Sequence, residues 1–222
     1  MSNTEIKFGN LKVKLNWLYE AIITTCNVNL AIKEITYNAA PMGVIFPDPE
    51  HIIIRPYLTT NTFKNIQCYG CAGINFTNNI SLFYKSAIKK TEISQNDFLT
   101  SKKKQIPLLK DSITRFVVIS EKMEINESEN RAKILCKIEE FENIDSNIEP
   151  YNRGYFAVLE SIIHFTRINI LMEQDPEKGK RLINKILEYN SFIKRVYPNS
   201  DFEQIMNEIV LNLSKMTRLK IK

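Results

Sequence analysis

Residues 34–46 read EITYNAAPMGVIF, and the reading of this run decides the fold. Ile35, Tyr37, Val44, Ile45 and Phe46 are the β-branched and aromatic residues that fill strands, while Pro41 and Gly43 mark an edge strand or a bulge. Runs of the same character lie on both sides: YEAIITT at 19–25, HIIIRPY at 51–57, AGINFT at 72–77, RFVVIS at 115–120 and AKILCKIEE at 132–140. Turn chemistry such as Pro47-Asp48-Pro49 and Asn126-Glu127-Ser128 separates them. Two helices fall between the strands, one opening at Thr60 or Asn61 and running to about Tyr69, the other from about Asn79 to Lys90. Strands arriving mainly without long intervening helices predict a small, mostly antiparallel barrel.

After Pro150 the hydrophobic period becomes that of a helix. Phe156, Leu159, Ile163 and Ile170 mark one apolar face of a long helix that Asn152 caps. Asp175-Pro176 starts a second helix, and Ser200-Asp201-Phe202-Glu203 is a capping box for a third. The expectation is therefore an α+β chain, with a barrel domain over residues 1–150 and a helical segment over 151–222 packed on it.

Composition narrows the chemistry. The chain has 222 residues, of which 44% are hydrophobic, enough for a substantial core. Only six are Gly, placed so that neither a GxGxxG fingerprint nor a phosphate-binding P-loop can be written, and no G-x-S-x-G elbow exists. His51 and His164 are the two histidines, which excludes a His-rich metal site. The net charge of +5 is concentrated after Tyr151, but there the basic residues alternate with acidic ones and carry no interleaved aromatics, so a solvated helical face is favoured over a nucleic-acid groove. Four Cys, no signal peptide and no apolar run near 18 residues predict a reducing, cytoplasmic setting without membrane insertion.

Three segments carry candidate chemistry. In Asn38-Ala39-Ala40-Pro41-Met42-Gly43 the small residues let main chain approach a flat ligand, although the pattern alone favours a bulge or edge strand. Arg55-Pro56-Tyr57 followed by Thr60 and Thr62 at a helix start offers a guanidinium, hydroxyls and free N–H groups to a phosphate; ordinary capping is the alternative. Asn152-Arg153-Gly154 opens the helix on which Glu160, His164 and Arg167 share a face, as an ion-pair ladder or an anion-binding row. The lone pair Cys68 and Cys71 reads as buried, inert thiols, and Phe76 as core. Glu139, Glu140 and Glu142 read as a charged strand end.

The order YEAIITT, NAAPMGV, IIIRPYLTTNTFKNI, AGINFTNN and PYNRGYFAVLESIIHFTRI resembles, over about residues 18–173, a mainly archaeal family of uncharacterised proteins, domain-of-unknown-function family 447, classed with the flavin reductase-like, FMN-binding split barrels. The resemblance implies a split β-barrel homodimer holding FMN near the subunit interface. It places Asn38, Ala39, Ala40, Pro41, Met42 and Gly43 along the isoalloxazine, and Arg55, Tyr57, Thr60 and Thr62 at the phosphate. It adds Asn75, Asn152 and Arg153 as further cofactor-side positions. Two departures are visible: Leu58 stands where the family usually has Gly, and Thr60 replaces the common Ser. The implied function is a flavin-dependent oxidoreductase, with NAD(P)H as a transient reductant; a non-catalytic FMN carrier or sensor, and less favourably a nucleic-acid-binding barrel, are the rival readings.

Overall fold

The structure, a computed structural model, describes residues 4–29, 34–102, 105–144 and 149–217. It divides into a β unit, Thr4–Tyr151, and a helical unit from Asn152 onward.

Six strands close into an antiparallel barrel: β3 (Leu18–Asn29), β4 (Glu34–Asp48), β5 (His51–Ile54), β6 (Cys71–Phe76), β9 (Thr114–Asn126) and β10 (Arg131–Asn143). Their order around the barrel is β10-β5-β4-β3-β6-β9. All six sequence runs named above become barrel strands. The inward face is aromatic: Phe46, Phe76 and Phe116 are fully buried, with Phe46 stacked on Phe76 at 6.2 Å and Phe116 edge-on to Phe76 at 6.0 Å. Each such ring stabilises the fold by about 2–3 kcal/mol through the apolar surface it withdraws from water.

Two small hairpins lie outside the sequence-based expectation. β1 (Glu5–Phe8) pairs with β2 (Leu11–Lys14), and β7 (Phe98–Thr100) pairs with β8 (Pro107–Leu109). The signal for the first was present: Gly9 takes φ 59° at the first of two loop residues, as a tight type II′ hairpin requires. Phe8 then lies edge-on to Phe116 at 5.0 Å and helps cover the barrel core.

The β unit holds two helices, α1 (Asn61–Tyr69) and α2 (Ile80–Ala87). Thr60 caps α1 by accepting the Phe63 N–H at 3.3 Å, and Gly70, at φ 66°, ends it. Asn79 caps α2 in the same way through the Leu82 N–H. The second helix is shorter than expected, because two 3-10 turns, Lys90–Glu92 and Gln95–Asp97, take over from Lys90 on.

The helical unit consists of α3 (Arg153–Gln174), α4 (Pro176–Val196) and α5 (Asp201–Thr217). Asn152 accepts from the Gly154 N–H, Asp175 from the Lys178 N–H, and Ser200 from the Glu203 N–H, so all three expected caps form. The apolar face expected of α3 forms, and most of it is exposed. Phe156, Leu159 and Ile170 are exposed, and the residues the helix buries are Gly154, Ala157, Val158, Ser161 and Ile168, about half a turn away. Small residues let neighbouring helices approach there: a Cβ on Gly154 would stand 2.5 Å from the ring of Tyr197, which is fully buried. By length and composition α3 is also apolar enough to cross a membrane, a feature not expected from the sequence.

Candidate functional site

The site begins with a mismatch of strand lengths. β4 is long and β5 short, so β5 pairs with β4 only from Val44 to Asp48, whereas β3 accompanies β4 from Glu34 to Ile45. Among the described residues no strand covers the other edge of β4 over Glu34–Gly43. Pro41, which has no N–H to give a ladder, fits such an edge.

Alongside the first part of this edge runs α1, and between the two lies a cavity of about 490 Å³. Thr36, Tyr37, Asn38 and Ala39 form its β4 wall; Asn61, Lys64, Asn65 and Cys68 form its α1 wall. Asn27 closes one end, and Lys90, Ile93 and Phe98 close another side from the strap that follows α2. The volume is that of a site for a small organic ligand or mononucleotide.

A buried amide–hydroxyl chain braces the two walls. The Asn38 amide donates to Thr62 Oγ1 at 3.1 Å and more weakly to Thr25 Oγ1 at 3.4 Å, while the Asn65 amide donates to Thr25 Oγ1 at 2.9 Å. Thr25 and Thr62 are almost fully buried, so these bonds hold α1 at a fixed spacing from the sheet. Both Asn38 N–H groups are thereby engaged inside the protein. On the strap side the Tyr37 and Phe98 rings meet at 5.1 Å, and Ile93 packs with them on Ile22, Ala39, Leu82 and Leu109. The cavity thus pairs an aromatic and aliphatic corner with amides, hydroxyls and two lysines, and among the described residues no carboxylate lines it.

The residues named from sequence distribute unevenly. Asn38 and Ala39 line the cavity; Ala40, Pro41 and Met42 continue along β4, opposite Ile23, Ile22 and Ala21. Gly43 serves internal packing, since a Cβ there would lie 2.6 Å from Leu18. Thr60 is occupied as a cap, donating to the Tyr57 carbonyl at 2.7 Å, and Thr62 is buried behind Asn38. Arg55 is exposed and is not part of the cavity wall. Tyr57 is held by Arg131, whose guanidinium lies 4.1 Å over its ring and donates to its hydroxyl at 2.6 Å.

Asn75 is fully buried and saturated: its amide donates to the Ile22 carbonyl and Thr24 Oγ1, and its carbonyl accepts from the Leu109 N–H. Its side chain pins β6 to β3 and β8. In the helical unit Asn152 is a cap and the Arg153 guanidinium lies 5.2 Å over the Phe192 ring. Glu160 and His164 come within 4.0 Å, His164 stacks on Tyr189, and burial pushes the imidazole below its ordinary pKa.

Sequence reasoning missed Lys64, Lys90 and Cys68. Lys64 and Cys68 stand one helical turn apart on the α1 face that carries Asn61 and Asn65, a spacing visible in the sequence once the helix is placed. The expectation of buried thiols is corrected: Cys68 is exposed and Cys71 half-buried, and only Cys136 is fully enclosed, its thiol pushed up to about 12 by burial. All four cysteines are free thiols.

The family model described as protein of unknown function (DUF447), N-terminal domain, matches residues 19–145, and its companion, protein of unknown function (DUF447), matches residues 152–210. The chain belongs to the DUF447 family. Its solved neighbours include an FMN-bound protein of the DUF447 family model from Methanosarcina mazei, 20% identical, covering 86% of this chain and 93% of that one at a TM-score of 0.48. A flavin reductase domain protein from Arthrobacter sp. FB24 is 16% identical over 61% of this chain and 84% of its own, at 0.48. Flavoredoxin from Methanosarcina acetivorans is 11% identical over 60% of this chain and 75% of its own, at 0.47. No curated protein matches this DUF447 chain in sequence. The family boundary between residues 145 and 152 falls where the β unit gives way to the helical unit.

Proposed function

We propose that the β unit binds FMN in the cavity between β4 and α1, and that the protein is a flavin-dependent oxidoreductase taking electrons from NAD(P)H. The observation that carries the reading is the composition of that cavity: an uncovered strand edge and amide oxygens for the polar rim of a flat heterocycle, aromatic surface for its face, and, among the described residues, ammonium groups without carboxylates for its phosphate. The family adds support, because a DUF447 protein is described as FMN-bound. The positions from Asn38 to Gly43 then run beside the ring, and the N-terminal turn of α1, capped by Thr60 and braced through Thr62, faces the phosphate end.

Bound FMN supplies hydride and single-electron chemistry; the chain supplies binding, orientation and electrostatics. Thr62 fixes the Asn38 amide at the cavity wall. Tyr37, Ile93 and Phe98 exclude water from one side. The homodimer and the cytoplasmic setting belong to this proposal as well.

Titration of FMN with the purified protein, followed by quenching of flavin fluorescence, tests the cofactor. Saturable quenching at low micromolar protein is expected, and its absence overturns the reading. The second reading, a carrier or sensor without catalysis, is favoured by one observation: among the described residues no His, Asp or Glu lines the cavity to move a proton. Stopped-flow mixing of the FMN complex with NADH or NADPH separates them, since bleaching of the flavin is expected only of the oxidoreductase.

A further inference from the structure

Resting on the FMN reading, we propose that Lys64 and Lys90 form the anion seat of the β4–α1 cavity, in place of Arg55, so that the site selects the phosphorylated flavin over the uncharged one.

Charge is distributed unusually around this cavity. The whole chain has 25 acidic residues against 30 basic, yet among the described residues the cavity wall carries two lysines and no carboxylate. Neither lysine has an ion pair among the described residues. The contrast with the adjacent Lys89 is direct, because its ammonium is neutralised by Glu92 at 2.7 Å. An unpaired ammonium group on a concave wall, with a second one facing the same space, has no structural partner to satisfy it, and an anion is the partner it fits.

The two lysines reach the cavity from separate, anchored elements. Lys64 lies in the first half of α1, on the face that carries Asn61, and the first turn of that helix has no acidic residue to offset the positive end of its dipole. Lys90 sits on the strap after α2. The strap is tied down by Gln95 donating to the Ile35 carbonyl at 3.0 Å, by the Lys110 N–H bonding the Asp97 carbonyl at 2.9 Å, and by Phe98 in the apolar cluster. Lysine also suits the task, since a compact ammonium on a flexible stem grips a phosphate as a point charge.

Arg55 is displaced from this space by register. It follows Ile54, which pairs with Val44, and Val44 is six residues along β4 from Asn38, about 20 Å at the rise of a strand. Thr60 and Thr62, the hydroxyls expected to join Arg55, spend their hydrogen bonds on the cap and on Asn38.

Fluorescence titrations of FMN and riboflavin against wild type, Lys64→Gln/Lys90→Gln, Lys64→Arg/Lys90→Arg and Arg55→Gln test this. Both lysines are exposed, so the substitutions leave the core untouched. The double Gln variant is expected to weaken FMN by about 100-fold, about 10-fold per charge-assisted contact, while riboflavin is unchanged. The double Arg variant retains most FMN affinity, and Arg55→Gln stays within about 2-fold of wild type. If wild type binds FMN and the double Gln variant binds it equally well, or loses riboflavin in parallel, the lysine seat is wrong while the FMN site stands. Wild type that binds neither flavin overturns both.

Discussion

At the scale of single residues, two glycines that look alike in sequence do different work. Gly70 takes φ 66° in open space, so its substitution is opposed by backbone conformation alone. Gly73 has ordinary backbone angles but sits where a Cβ would stand 2.6 Å from the Pro107 carbonyl oxygen and 2.7 Å from Leu108. Beside it the Thr24 hydroxyl donates to that same carbonyl, and Asn75 holds the Leu109 N–H, so β8 cannot retreat without breaking buried bonds. Gly73→Ala is therefore expected to destabilise by about 2–3 kcal/mol through overpacking, and Gly70→Ala by about 1 kcal/mol through the left-handed conformation. Urea unfolding of the two variants measures the difference. Adding Asn at position 70 recovers part of the loss there, as no polar substitution does at 73. None of this was legible in the sequence, where Gly73 is one small residue in a strand; the contact it permits comes from a hairpin thirty-four residues downstream.

At the scale of elements, the strands and helix caps were readable because their causes are local. Thr60, Asn79, Asn152, Asp175 and Ser200 each bond an N–H two or three residues ahead, and the sequence displays both ends of such a bond. The cavity was not readable in the same way. Asn38 and Ala39 were visible as an unusual strand segment, but Lys64 and Lys90 enter through the docking of α1 and the strap, and no local pattern reports that. His51 is another case of long-range assembly: its Nδ1 meets Asp48 at 2.8 Å in the β4–β5 turn, and its Nε2 meets Glu121 of β9 at 3.1 Å. The Asp48 hydrogen bond is the main cause that raises the imidazole above its ordinary value, against a smaller desolvation effect, with Glu121 adding to it. A raised folded pKa means that the stabilisation is complete below the unfolded value of about 6.5 and is lost as pH climbs through the folded one. The melting temperature is expected to fall over that interval, and His51→Gln to flatten the fall. A wild-type profile with no step there removes the clamp from the list of stabilising contacts.

At the scale of the whole molecule, the α3 helix has more apolar surface than its own unit uses. Tyr155, Phe156, Leu159, Ile162 and Ile170 are all exposed, and at 100° per residue they fall within about a third of the helix circumference, opposite the buried small residues. The periodicity read from sequence found this apolar face but not the packed one, because Gly154, Ala157 and Ser161 carry too little hydrophobicity to announce a packing surface. A contiguous patch of large side chains differs from scattered surface leucines in what it demands of water. The proposed homodimer gives it a partner, a second copy of the same face. Light scattering of the purified chain is expected to return twice the 25.9 kDa chain mass. Leu159→Glu/Ile162→Glu is expected to return the single-chain mass with its β-sheet circular dichroism intact, since neither residue belongs to the barrel. A double variant that keeps the wild-type mass would move the dimer contact off α3, and a wild type of single-chain mass would leave this face to another partner.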